Sequence, residues 1–187
     1  MIGIVNMYHN TKYLDKVVEA AHGLGHRVTI VNGYHLTRAE VYSTIRDSRI
    51  GHWIFTGGDH YVDDLGANQV PLEVLSLPKR FLMICYSMES VLWQLGFPLV
   101  HRDHVEKGYF KMDIGGRMLT LYRLHRCYIR PKRAQVTVDG QVFRVRTLAV
   151  HDKELMMATI GPALLTQFHP ESSRDGRQLL KAWLAER

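Results

Sequence analysis

The sequence predicts an α/β fold: an open, mostly parallel sheet flanked by helices, with a small antiparallel extension. Three observations carry this. Through residue 96, short apolar runs alternate with segments whose apolar residues recur at helical spacing. That alternation implies parallel strands linked by helices, with both sheet faces covered. After residue 105 the pattern changes to short strands separated by Gly-containing turns, the mark of antiparallel pairing. The 187 residues suffice for one domain, 1–187, with a real core.

The elements follow in order. Ile2 to Val5 reads as a strand. Tyr13 to Leu24 reads as an amphipathic helix with Leu14, Val17, Val18, Ala21 and Leu24 on one side, and Gly25 turns the chain into a strand from Arg27 to Val31. Thr37 followed by Glu40 is a capping-box pattern and opens a helix to about Arg46. His52 to Thr56 is the next strand, closed by Gly57-Gly58. Leu72 to Leu77 is assigned to a helix, and Arg80 to Ile84 to a strand that delivers Cys85. Met88, Val91, Leu92 and Leu95 then recur at helical spacing, with Gly96 as a stop. Strands are expected over Tyr109–Ile114, Met118–Tyr122, Gln135–Val138, Val142–Val150, Leu155–Thr159 and Leu164–Phe168. Gly115-Gly116 and Asp139-Gly140 supply turns, the second a tight hairpin. Arg174 to Ala185 is a terminal helix.

Composition bounds the function. The 46% hydrophobic and 22% charged residues are ordinary for a water-soluble globular chain. No apolar run approaches the roughly 20 residues of a membrane span. The first residues lack a basic leader and a long apolar stretch, and two cysteines cannot form a disulfide framework. A cytoplasmic protein with free thiols is therefore expected. The net charge of +6 comes largely from Arg123, Arg126, Arg130, Lys132 and Arg133, with His125 among them. This reads first as a solvated basic surface, then as a face for an acidic partner or a phosphorylated ligand. No nucleic-acid motif accompanies it.

Cys85 carries the chemistry. It stands where a strand gives way to a helix, so the helix's free N–H groups and positive dipole end face the thiol. Such a place favours a thiolate. His169 and Glu171 follow in Gln167-Phe168-His169-Pro170-Glu171, offering a base and a carboxylate two positions apart. These are the parts that a cysteine nucleophile needs. Cys127 has no comparable partners in the sequence and reads as structural. His101 with His104, and His22 with His26, lack a third ligand, so no metal site is expected. His151-Asp152 reads as a turn.

Together, Ile54-Phe55-Thr56-Gly57-Gly58, Ile84-Cys85-Tyr86-Ser87-Met88-Glu89 and Gln167-Phe168-His169-Pro170-Glu171 resemble the three signature blocks of the class I glutamine amidotransferases. The likeness runs the full length and is greatest to the glutaminase subunit of two-subunit GMP synthases. It implies a flavodoxin-like open sheet and a Cys85–His169–Glu171 triad that hydrolyses glutamine through a thioester. It implies an oxyanion hole from the amides of Gly58 and Tyr86, and substrate contacts from Gly57, Ser87 and Glu89. No cofactor and no metal are implied. The implied partners are a small-molecule substrate, glutamine or a γ-glutamyl amide, and a separate synthase subunit that accepts the ammonia.

The chain departs from the family pattern near the cysteine. Met83 and Ser87 stand where the family usually has Gly, Glu89 where it has Gln, and Asp59 where it commonly has Pro. Leu124-His125-Arg126-Cys127-Tyr128 replaces a Ser-His-Gly-Asp stretch. A carboxylate at 89 would repel a substrate carboxylate and attract an amino group. Glu at this position resembles the γ-glutamyl hydrolases of the same superfamily. Three readings follow: a glutaminase serving a synthase, a self-sufficient γ-glutamyl or small-amide hydrolase, and a catalytically degenerate homologue that binds a ligand or partner.

Overall fold

The computed structural model describes residues 1–11, 13–132 and 134–186. Its centre is an eight-stranded sheet. The parallel half contains β1 (Ile2–Met7), β2 (Val28–Val31), β3 (His52–Gly58) and β4 (Arg80–Ile84), joined by the last strand, β10 (Ala163–Thr166). The antiparallel half contains β7 (Ala134–Val138), β8 (Gln141–His151) and β9 (Glu154–Ile160). The strand order is β2-β1-β3-β4-β10-β9-β8-β7. A separate long hairpin, β5 (Leu99–Ile114) with β6 (Arg117–Ile129), lies beside it.

The alternation of side chains along the buried strands feeds two cores. Val5, Phe55, Phe81 and Met83 face α2 (Arg38–Asp47) and α3 (Tyr86–Gln94), where Ile45 and Val91 meet them. Ile4, Ile54, Leu82 and Ile84 face α1 (Leu14–Gly23) and α4 (Arg174–Ala185), packing with Val17, Leu180 and Trp183. This period of two on strands, met by amphipathic helices on both faces, is what the opening alternation predicted. Met83, in the place of a family glycine, is fully buried in the first core.

Local chemistry sets several element boundaries. The Thr37–Glu40 capping box forms: Glu40 N–H donates to Thr37 Oγ1 at 3.3 Å, and Thr37 N–H donates to Glu40 Oε2 at 2.8 Å. Asp139 and Gly140 have φ of +47° and +76°, as a two-residue hairpin turn needs. His151-Asp152 leads into a turn in which Asp152 and Lys153 have positive φ. Two expectations need correction. Residues Leu72–Ser76 form a short 3-10 turn, because Pro71 precedes only one turn's worth of apolar residues. The expected short strands near 110 and 120 are parts of the much longer β5–β6 hairpin. Its charged first half, His101 to Lys107, is largely exposed and shows no clean alternation.

The hairpin positions the site. His169 N–H donates to Tyr122 O at 2.8 Å, and Thr120 N–H donates to Asp175 Oδ2 at 2.7 Å. β6 thus holds both the loop after β10 and the start of α4. Alternation along β6 buries His125, Cys127 and Ile129 and leaves Arg126 and Arg130 outside. The basic cluster is therefore divided. Arg123 pairs with Glu106 at 2.8 Å, His125 turns inward, and Arg133 lies outside the described residues. No described helix is long and apolar enough to cross a membrane.

Candidate active site

Cys85 stands between β4 and α3 with φ +50° and ψ −108°, a sparsely populated conformation. Three contacts hold it there. Its N–H donates to Thr166 O at 2.7 Å, and its carbonyl accepts Glu89 N–H at 2.9 Å. Ser87 Oγ donates to Thr56 O at 2.5 Å and ties the first turn of α3 to β3. The strain aims the sulfur at a cavity of about 290 Å³ above the carboxyl ends of the strands. Gly58, Tyr86, Glu89, Leu124, His125 and His169 are among its lining residues.

His169 and Glu171 meet as the sequence spacing suggests. His169 Nδ1 lies 2.8 Å from Glu171 Oε1, and both side chains are buried. The other edge of the ring turns to the cysteine. Cys85 Sγ lies 3.5 Å from Leu124 O, and His169 Nε2 lies 3.4 Å from the same oxygen. The thiol and the imidazole thus meet at the Leu124 carbonyl. Burial alone would lower the His169 pKa. The Glu171 charge and the bonds to Cys85 and Glu171 instead raise it well above the usual value. For Cys85, burial raises the pKa and outweighs the bonds from His169 and the Tyr86 amide. The helix end and the histidine favour the thiolate, as the sequence position implies, and desolvation opposes them with the larger effect.

The oxyanion-hole candidates lie at this edge: Gly58 and Tyr86 both line the cavity. A Cβ at Gly58 would come within 2.7 Å of the Tyr86 ring, so only glycine fits. Among the expected substrate contacts, Glu89 lines the cavity, while Gly57 and Ser87 do not. Ser87 is spent on the Thr56 carbonyl, which is why its hydroxyl does not reach the cavity. A Cβ at Gly57 would lie 2.3 Å from the Tyr8 hydroxyl and 3.3 Å from His169 Cε1. Gly57 therefore acts as a close-packing position beneath those two side chains.

Glu89 is buried against the nucleophile. Gln167 Nε2 donates to Glu89 Oε1 at 2.7 Å and also approaches Cys85 Sγ at 3.8 Å. Burial pushes the Glu89 pKa up to about 7, against the Gln167 hydrogen bond and the nearby His169. Gln167 Oε1 remains buried without a partner. A second buried polar group completes the wall. His125 Nε2 lies 2.9 Å from Glu154 Oε2, and Arg102 pairs with the other oxygen of Glu154. Burial, then the charges of Arg123, His169 and Arg102, bring His125 down to about 3. The neutral ring donates from Nε2, which leaves buried Nδ1 as an acceptor without a partner. Both unmatched atoms are sealed from solvent, and of the two residues only His125 lines the cavity.

Sequence reasoning missed several residues here. Tyr8, His125 and Gln167 come from three separate strands or loops, and no local pattern links them. Cys127 is another correction. It has partners: Sγ lies 3.2 Å from His101 Nδ1, and His101 Nε2 lies 2.9 Å from Asp63 Oδ2. The pairing of His101 with Cys127 across β5–β6 creates this contact. Burial, then the charges of Glu89, Asp63, Cys85 and Asp64, push the Cys127 thiol up to about 12. Cys127 therefore stays protonated and inert. Iodoacetamide with peptide mapping is expected to label Cys85 much faster than Cys127; equal rates would contradict this account. Among the described residues no group of three His, Cys, Asp or Glu could hold a metal ion.

The architecture is an open, mostly parallel α/β sheet flanked by helices, with a cysteine at a strand–helix elbow. Among solved structures, the fold is similar to a Thermoplasma acidophilum protein provisionally described as a GMP synthase subunit. Their TM-score is 0.70, over 98% of this chain and 91% of that one, at 18% sequence identity. That likeness carries the fold and leaves the activity to the site. No family model and no curated protein matches the sequence.

Proposed function

We infer that this protein is a cysteine-dependent amide hydrolase of the class I glutamine amidotransferase type, releasing ammonia from glutamine for a separate synthase subunit. One observation supports this above the others. The strained Cys85 opens into a cavity that it shares with His169, and His169 in turn bonds Glu171 at 2.8 Å. The mechanism follows from that relay. As substrate enters, His169 Nε2 takes the thiol proton, and Cys85 Sγ attacks the amide carbon. Glu171 holds Nδ1–H and stabilises the imidazolium. The amides of Gly58 and Tyr86 receive the oxyanion, each such donor contributing on the order of 3 kcal/mol. His169 returns a proton to the departing ammonia, and water hydrolyses the thioester. The Leu124 carbonyl, near both Cys85 and His169, marks a resting arrangement that must tighten on substrate binding.

A second reading has its own support. Glu89, a carboxyl, lines the cavity together with Cys85. This suits an amide that carries an additional amino group, as a self-sufficient γ-glutamyl hydrolase would require. A panel of glutamine, asparagine, γ-glutamyl peptides and simple amides, with ammonia and amine release both followed, tests the two. Turnover of glutamine supports the glutaminase, and preference for γ-glutamyl amides supports the second reading. No turnover of any member, with or without a synthase, would leave the degenerate homologue.

A further inference from the structure

We propose that the Tyr8 hydroxyl is a catalytic group that seats the hydrolytic water opposite the Cys85 thioester, together with His169. The proposal rests on the amide-hydrolase reading above. Tyr8 is only 4% exposed, yet it lines the same cavity as Cys85 and His169. Its hydroxyl lies over Gly57: a Cβ at that glycine would come within 2.3 Å of the hydroxyl and 3.3 Å of His169 Cε1. It has no hydrogen-bond partner among the described residues. Although the residue is buried, its hydroxyl is not among the sealed polar atoms without a partner, so the oxygen opens to the cavity, where water can reach it.

The backbone holds the ring there by construction. The β1–β3 pairing shifts register between Val5 and Met7, and such irregularities re-aim side chains next to active sites. Buried Asn6 then fixes the exit of the strand. Its Oδ1 accepts Tyr8 N–H at 3.2 Å, and its Nδ2 donates to Tyr8 O at 3.1 Å. Tyr13 packs on the ring at a centroid distance of 5.4 Å. Burial, then the charges of Glu171, Cys85 and Asp59, raise the phenol pKa well above its usual value. The hydroxyl therefore keeps its proton throughout turnover, and its oxygen remains free to accept.

The step balances without any further reactant. Water donates one hydrogen to Tyr8 Oη and loses the other to His169 Nε2. Its oxygen bonds to the thioester carbonyl carbon, the C–S bond breaks, and the thiolate recovers the proton from His169. Fixing one hydrogen of the water points its lone pair at the carbonyl.

Tyr8→Phe removes only this oxygen. Burst kinetics with p-nitrophenyl acetate, using Cys85→Ala as the blank, separate acylation of Cys85 from its deacylation by water. The variant is expected to keep the wild-type burst and unfolding temperature and to deacylate about tenfold more slowly, the order for one hydrogen bond. Deacylation at the wild-type rate would overturn the proposal, and so would equal slowing of both phases. Absence of a Cys85-dependent burst in the wild type would overturn both this proposal and the amide-hydrolase reading. A normal burst in a protein that cleaves no amide of the panel would sink the reading alone, with the deacylation rates still deciding Tyr8.

Discussion

Cys85→Ala is expected to abolish amide hydrolysis, lowering kcat on the order of 10⁴-fold or more, with little effect on unfolding temperature. The sulfur is the sole atom in the cavity that the proposed mechanism can use to form a thioester. Cys127, which lines the same cavity, cannot replace it because its thiol is pushed up to about 12 and is tied to His101. His169→Ala should be comparably severe. Glu171→Ala should cost one to two orders of magnitude less, since it removes the support of the imidazole and leaves nucleophile and base in place. The measurement is ammonia release by each purified variant, with thermal melts as a check on folding. Activity retained by Cys85→Ala would remove the basis of the proposed mechanism.

Glu89→Gln is expected to change activity and stability together, and the direction on each substrate identifies the ligand. If the cavity is built for glutamine, the neutral amide should raise glutaminase activity by removing repulsion of the substrate carboxylate. If Glu89 reads an amino group on a γ-glutamyl amide, the same substitution should reduce kcat/KM on that substrate about 30–150-fold. That corresponds to about 2–3 kcal/mol for a lost buried charge contact. No change on either substrate would show that Glu89 does not contact the ligand.

The stability effect has a defined sign. The Glu89 pKa is raised from an ordinary 4.5 to about 7 in the folded chain, so the folded state binds more protons than the unfolded one between those values. The stability present below pH 4.5 is lost as pH rises through 7. The full loss amounts to about 3 kcal/mol. Glu89→Gln should therefore unfold at a higher temperature than wild type at pH 8, with the difference shrinking toward pH 5. Parallel melting curves for the two proteins would show the Glu89 carboxyl to be stably ionised if no such convergence occurred.

Much of the architecture was legible because it is encoded locally. The apolar runs of β1, β3 and β4 are long enough and bare enough to be read as buried strands. The Thr37–Glu40 box and the Asp139-Gly140 turn depend on residues within four positions of one another. The elbow at Cys85 was readable for the same reason: a buried strand and an amphipathic helix leave one residue between them. His169 and Glu171 were readable as partners because they are two residues apart. The full length of the β5–β6 hairpin was not, because the charged first half of β5 is largely exposed and has no buried face to impose alternation.

By itself, then, the sequence determined the order of the elements, the parallel half of the sheet and the candidacy of Cys85, His169 and Glu171. The tertiary structure decided what surrounds them. It placed the Tyr8 hydroxyl over Gly57, Gln167 against Glu89 and Cys85, and the His125–Glu154 pair in the cavity wall. It also gave Cys127 a partner in His101 and turned Ser87 toward Thr56. Secondary structure follows from periodicity and caps within a few residues. Desolvation, hydrogen-bond partners and charge coupling depend on residues as much as 82 positions apart, as Gln167 and Cys85 are, and only the folded chain brings those together.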